Sequence, residues 1–235
     1  MKILGIIPAR GGSQAIPRKN ILPLCGVPLI GHIFGAASQV SELTDIVLST
    51  DDEEIASVGR SLGISVPFMR PPELATDNAT TQGAVKHAIE SMESAKGCTY
   101  DIAVLLQPPC PLTQPDHIRA AIQHLIDNDL DSVGSATRLD DTHPAFVLER
   151  RGDHFERMFP ELDGMTSRHD LKPLYRACGN VYAYRRHNPV EHGVLLGGRI
   201  DYVEIEKQFT VNINEPLDWV AAEVMIRHLQ ASNNS

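Results

Sequence analysis

Apolar residues in this chain come in short runs, separated by longer stretches with helical spacing. Residues 3–7 (ILGII) form one run that stops at Pro8, and 101–107 (DIAVLLQ) form another that is almost wholly apolar. Runs without alternation suit strands covered on both faces. DIVLST (45–50) and DSVGSA (131–136) read as further strands, and ISVPFM (64–69) as a short one. Between them the spacing turns helical: PLIGHIFGAASQV (28–40), DEEIASVGRSLG (52–63) closed by Gly63, GAVKHAIESME (83–93) capped by Thr80-Thr81, and TQPDHIRAAIQHLIDN (113–128), with Thr113 as the expected cap and Pro115 early in the first turn.

Strands alternating with helices predict a doubly wound α/β sheet. The pattern breaks near residue 138. The stretch RLDDTHPAFVLERRGDHFERMFPELDG (138–164) is polar and turn-rich, with a possible hairpin, and reads as an excursion from the sheet. NVYAYRR (180–186) and DYVEIE (201–206) restore strands, EPLDWVAAEVMIRHLQ (215–230) reads as a closing amphipathic helix, and ASNNS (231–235) as a disordered tail. The expected organisation is a single domain over 1–235, with the excursion at about 138–180.

Charge changes this picture locally. The 235 residues carry a formal net charge of -9, which argues against a nucleic-acid binder. Yet the loop after the first strand, ARGGSQAIPRKN, holds Arg10, Arg18 and Lys19 with no acid before Glu42. Glycines bring main-chain amides close to a ligand, and arginine and lysine neutralise phosphate oxygens. The loop therefore predicts a small phosphorylated ligand. It is neither a P-loop, since GxxxxGK[ST] is absent, nor a dinucleotide fingerprint, since GxGxxG is absent. Arg10, Asp51 and Gln107 all follow strand ends, where doubly wound sheets bind ligands.

The four cysteines form no CxxC pair and the ten histidines no HExxH. They read as free thiols in a reducing compartment, with no zinc framework. Asp140-Asp141-Thr142-His143 imitates a metal site but reads as a solvated loop. The opening apolar run is too short for a signal peptide or a membrane span, so a cytoplasmic protein with no membrane partner is expected.

Six blocks then fall in the order found in one known family: IIPARGGSQAIPRKN, STDDEEIA, RPPELATDNATT, LLQPPCPL, RHDLKPLYRACGNVY and VNINEPLDW. From residue 3 to about 219 the chain resembles the acylneuraminate cytidylyltransferases. The resemblance implies a Rossmann-like nucleotidyltransferase fold and a homodimer, with the 138–180 excursion as its dimerisation region. It implies transfer of CMP from CTP to the anomeric hydroxyl of an acidic keto sugar, with release of pyrophosphate. It places Arg10 and Lys19 on the triphosphate as the catalytic cations, with Gly11, Gly12 and Ser13 beside them. Asn20 and Arg70 would read cytosine with Thr81 close, and Gln107, Arg168, Arg176 and Tyr182 would face the sugar.

Departures fall inside the motifs. Gln14 and Ala15 replace a lysine and a glycine, Thr113 an arginine, and Cys178 a sugar-facing asparagine. At the metal position Asn212 and Asn214 replace two aspartates. Neutral amides hold magnesium less well than carboxylates, so Mg2+ is expected to be held weakly by the protein and mainly through CTP. The alternatives are transfer to another acid, of legionaminic, pseudaminic or Kdo type, and nucleotide binding without transfer.

Overall fold

A computed structural model of the chain describes residues 1–13, 15–139, 143–162 and 172–233. In chain order its strands and helices are β1 (Ile3–Pro8), β2 (Pro23–Leu24), β3 (Val27–Pro28), α1 (Leu29–Ala37), β4 (Asp45–Ser49), α2 (Glu53–Ser61) and α3 (Thr81–Lys96). Then follow β5 (Ile102–Leu105), α4 (Pro115–Asp127), β6 (Ser132–Arg138), β7 (Leu148–Arg151), β8 (His154–Arg157), β9 (Tyr175–Arg185), β10 (Ile200–Glu204) and α5 (Pro216–Asn233).

Six strands form the main sheet in the order β10-β6-β9-β5-β1-β4. β1 pairs in parallel with β4 on one side and β5 on the other. This is the topological switch point, where the crevice beyond the carboxyl ends of the strands opens. The residue pattern of β1 shows why the sheet is buried on both faces. Ile3 and Ile7 enter a core with residues of α1, α2 and α4, whereas Leu4 and Ile6 enter a second core with Val85, Ala88, Ile89 and Met92 of α3. A third cluster joins Leu24 and Leu29 to Ile213 and to Ala222 and Ile226 of α5, fastening the last helix beside the first loop.

The expected α/β sheet is present, with instructive differences. It is mixed, because β9 runs antiparallel to both β5 and β6. The chain re-enters the sheet at the carboxyl end of β6, where Arg138 faces Tyr175, so it can only run back the other way. β9 therefore starts at Tyr175 instead of 180, and the excursion within the described residues narrows to its hairpin β7–β8 and its flanks. β9 is also irregular. Ser135 faces Cys178 and Val133 faces Ala183, so a single residue of β6, Gly134, stands opposite the stretch from Gly179 to Tyr182. Such a bulge bends the strand and re-aims its side chains.

Residues 64–69 form no strand. Ser65 makes one isolated bridge to Val47, and Pro67 lacks the amide that would extend it. The cap of α4 is Gln114, not Thr113. Thr113 is buried, with its hydroxyl donating to Cys110 O at 2.9 Å and accepting from Asn180 Nδ2 at 3.1 Å. The tail expected to be disordered continues α5 as far as Asn233. Of the sequence that imitates a metal site, Asp140, Asp141 and Thr142 lie outside the described residues. His143 is buried, and its Nδ1 accepts the amide of Ala145.

Candidate active site

The loop after β1 has no acid in its own sequence, but the fold brings acids to it. Asp51 and Asp52 follow β4, the parallel neighbour of β1, and so emerge beside the loop. Gly11 N donates to Asp51 Oδ1 at 3.1 Å. A Cβ on Gly11 would lie 2.8 Å from Asp52 Oδ2, so the close approach requires glycine. Arg18 holds the left-handed conformation (φ 57°) and donates to both carboxylate oxygens of Asp52, at 2.5 and 3.0 Å, and to Glu54. Asp52 also caps α2, accepting from Ile55 N at 3.0 Å. Arg18 is thereby a strut between loop and helix.

Lys19 points the other way. Its Nζ donates to Ile213 O at 2.6 Å, and Ile213 N donates to Pro109 O at 2.8 Å. One lysine and one amide thus tie together the loops after β1 and β5 and the Asn212–Asn214 segment. Burial pushes the Lys19 ammonium below its ordinary pKa, and nearby Arg10 adds to this against the opposing pull of Cys110 and Asp218. Arg70 is buried at the end of β4, with Nε 3.1 Å from Ser49 Oγ and Nη2 2.5 Å from Ser49 O. Asn20 is also buried, and its Nδ2 donates to Arg10 O at 3.0 Å, which leaves its carbonyl oxygen for a ligand.

These groups share one cleft of about 390 Å³ at the switch point, lined by Arg10, Ser13, Lys19, Asn20, Arg70, Thr81 and Gln107. Seven residues named from sequence therefore converge. A second, more open cleft of about 730 Å³ is lined by Arg176, Asn212 and Asn214 with Glu215 and Asp218, and Ala15 borders both. Gly11 and Gly12 lie in the loop wall outside the lining of either cleft, and the amide of Gly11 is engaged by Asp51. Tyr182 faces neither cleft; it is half-buried against the core under α3, where burial raises its phenol pKa. Arg168 and Gln14 lie outside the described residues.

Cys178 and Cys110 are both buried beside the bulge of β9. Burial pushes the Cys110 thiol up to about 12, so it is no thiolate nucleophile at neutral pH. A Cβ on Gly179 would meet Cys110 Sγ at 3.2 Å, Gln107 Nε2 at 3.5 Å and Asn212 Nδ2 at 3.6 Å. The bulge therefore brings the main chain of β9 against the residues between the two clefts.

The donor set does not suit a magnesium ion held by protein alone. Asn212 and Asn214 offer neutral amides, and Asp218 Oδ2 already accepts the amides of Asn214 and Glu215 at 2.8 and 2.9 Å. No group of three or more His, Cys, Asp or Glu able to hold a metal occurs among the described residues. No described helix is long and apolar enough to cross a membrane.

Sequence reasoning missed the acids. Asp77 pairs with Arg10 at 3.0 Å, and Asp52 pairs with Arg18. Their signal was present in TDDEE and TDNATT, but which cation each acid meets depends on the pairing of β1 with β4 for Asp52 and on the Thr76–Ala79 turn for Asp77.

Comparison with known proteins identifies the family. Residues 4–194 match the family described as Cytidylyltransferase. The chain is 36% identical to the pseudaminic acid cytidylyltransferase of Campylobacter jejuni over 183 residues, 77% of this chain and 78% of that one. It is 31% identical to the N-acylneuraminate cytidylyltransferase of Streptococcus agalactiae over 222 residues, 94% of this chain and 52% of the relative. Among solved structures it is similar to a CMP:2-keto-3-deoxy-manno-octonic acid synthetase complexed with CTP, with a TM-score of 0.73, 19% identity and coverage of 97% and 100% of the two chains. By the family match and these identities, the chain belongs to the cytidylyltransferase family and is a nucleotidyltransferase.

Proposed function

We propose that the chain transfers CMP from CTP to the anomeric hydroxyl of a sialic-acid-like keto sugar acid and releases pyrophosphate. The observation that carries this reading is the convergence of Arg10, Lys19, Asn20, Arg70 and Gln107 on one cleft at the switch point. The Asn20 carbonyl accepts from the cytosine amino group, and Arg70, fixed by Ser49, donates to the ring acceptors. Arg10 and Lys19 face the triphosphate. As the sugar hydroxyl attacks the α-phosphorus and the bond to the β-phosphate breaks, charge builds on the leaving pyrophosphate, and fixed cations stabilise it. Two anions must meet here; each close like-charged pair costs about 4 kcal/mol at surface-like dielectric, which these cations offset.

Arg176 at the second cleft receives the sugar carboxylate, with Gln107 between the clefts and Arg168 in the same role. Tyr182 serves this site through packing. Magnesium, where it takes part, arrives on the nucleotide. The enzyme works as a two-fold dimer built on the excursion, whose hairpin exposes Leu148 and Phe155, and as a single domain in the cytoplasm, where its four free thiols stay reduced.

The acceptor has a second reading. Cys178, buried near Cys110 where the resemblance implies an asparagine, favours an acid other than N-acetylneuraminate, of pseudaminic, legionaminic or Kdo type. Pyrophosphate release from CTP with a panel of these acids tests both. Turnover of one or more acids supports transfer, the preferred acid fixes the acceptor, and CTP binding without any turnover overturns transfer to these acids.

A further inference from the structure

Arg10 reaches across the cleft to the segment that precedes α3. Its Nη2 lies 3.0 Å from Asp77 Oδ1, and its Nη1 donates to Thr76 O at 2.8 Å. Thr76 O also accepts from Ala79 N at 3.1 Å, so the segment closes into a turn that presents a carboxylate and a carbonyl side by side. A guanidinium fork donates to a phosphate through a similar pair of parallel contacts. Thr76 and Asp77 line the cleft with Arg10 itself.

We propose that Asp77 is a displaceable stand-in for phosphate: it holds Arg10 until a polyphosphate arrives, yields it, and reclaims it as pyrophosphate leaves. The proposal rests on the nucleotide reading above and adds to it a residue that governs entry and release.

The two arginines of the loop show the contrast. Arg18 is bound to Asp52, whose side chain is 22% exposed and which also caps α2, so that pair is built into the fold. The Arg10–Asp77 pair is 35% and 58% exposed. Exposed ion pairs contribute little, so a ligand carrying several charges outcompetes the single carboxylate. A ligand without phosphates has nothing to offer Arg10 and leaves the pair intact. Asp77 thereby selects for polyphosphates. It also supplies Arg10 with a partner once the leaving group departs, which weakens the hold on the product.

Calorimetric titration of pyrophosphate, CTP and cytidine into wild-type, Asp77→Asn, Asp77→Glu, Arg10→Ala and the Arg10→Ala/Asp77→Asn protein tests this. Asp77→Asn is expected to tighten pyrophosphate and CTP by about two- to five-fold, the range of an exposed ion pair, while cytidine is unchanged. Asp77→Glu is expected to stay near wild type, and the gain to vanish when Arg10 is absent. Equal or weaker pyrophosphate binding in Asp77→Asn overturns the proposal, as does a wild type that binds no pyrophosphate. A gain that persists without Arg10 also overturns it, since Asp77 would then act only as a repelling charge. Wild-type protein that binds pyrophosphate as expected but ignores CTP sinks the cytidine reading and leaves the role of Asp77 standing.

Discussion

The Lys19 ammonium rests on the main-chain carbonyl of Ile213 at 2.6 Å, so segments 194 residues apart in sequence meet at one charge. Burial holds this amine below its ordinary pKa. Its charge in the unliganded protein is thus lost at lower pH than the usual lysine value of about 10.4. The alkaline limb of kcat/KM for CTP, which reports the free enzyme, is expected below that value, and Lys19→Arg should move it up while keeping turnover. Lys19→Met should lose roughly 2–4 kcal/mol of transition-state stabilisation, by analogy with removal of one preorganised donor. An alkaline limb unchanged in Lys19→Arg would separate the lysine from that titration.

Asp52 both caps α2 and binds Arg18, and the two roles can be split. Asparagine still caps a helix, so Asp52→Asn removes only the ion pair, whereas Asp52→Ala should cost about 1 kcal/mol more in chemical denaturation. The Arg18 guanidinium holds the Asp52 carboxyl below its ordinary pKa, against the opposing effect of burial. Its contribution is therefore present above the unfolded value, near 3.9, and is lost as pH falls through the folded one. Stability curves of wild type and Asp52→Asn should converge in acid; parallel curves would show that Asp52 does not titrate in this way.

Glu93 of α3 clasps Arg186 just beyond β9, with Oε1 accepting from Nε at 2.8 Å and from Tyr100 N at 3.0 Å, and Oε2 accepting from Nη2 at 2.9 Å. Burial pushes this carboxyl up, but the bonds from Arg186 and Tyr100 outweigh it and the net shift is down. Glu93→Gln is expected to destabilise the fold by about 2 kcal/mol at neutral pH, with the difference shrinking as pH falls through the folded value. The pair lies outside both clefts, so the Kd for CTP should stay within two-fold of wild type, or about 0.4 kcal/mol. A large change in CTP affinity without loss of stability would place Glu93 in the site.

The asparagines predict how magnesium behaves. Free protein should bind it poorly, and tight binding should appear only with CTP present. Asn212→Asp/Asn214→Asp should raise the affinity of the free protein, because carboxylates add charge that the ion favours. Calorimetry with and without CTP decides; tight binding to the native protein alone would show that this segment holds the ion without carboxylates.

The hairpin β7–β8 leaves Phe155 64% and Leu148 56% exposed, which an isolated hairpin in water would not favour. Light scattering at micromolar concentration should give the mass of a dimer. Phe155→Asp should shift it toward monomer with little loss of secondary structure by circular dichroism. A wild-type monomer would remove the excursion from this role.

The strands and helices were legible because both faces of the sheet are buried, so β1 and β5 read as unbroken apolar runs. The cleft was legible in part because Arg10 and Gln107 follow strand ends; Arg70 follows no strand, and only the family resemblance pointed to it. What sequence spacing does not carry is the lateral order of strands. Only the pairing of β1 with β4 sets Asp52 against Arg18. Asp77 meets Arg10 because the Thr76–Ala79 turn lies over the cleft. The antiparallel course of β9 was hidden for the same reason, since its run VYAY looks alike in either direction.

That course of β9 has a consequence for how the chain is made. The sheet consists of two blocks, β4-β1-β5 and β6-β10, and β9 is the seam between them. As the chain leaves the ribosome, the first block can form once Leu105 has emerged, but β5 then stays an open edge of four apolar residues until residues 175–185 arrive. β6 waits without a partner over the same interval. Open apolar edges are templates for pairing with other chains, and such distant partners join slowly. A chain cut short before Tyr175 would keep the loop after β1 and the lining of the first cleft, yet leave one edge of β5 and the whole of β6 unpaired and be prone to aggregate.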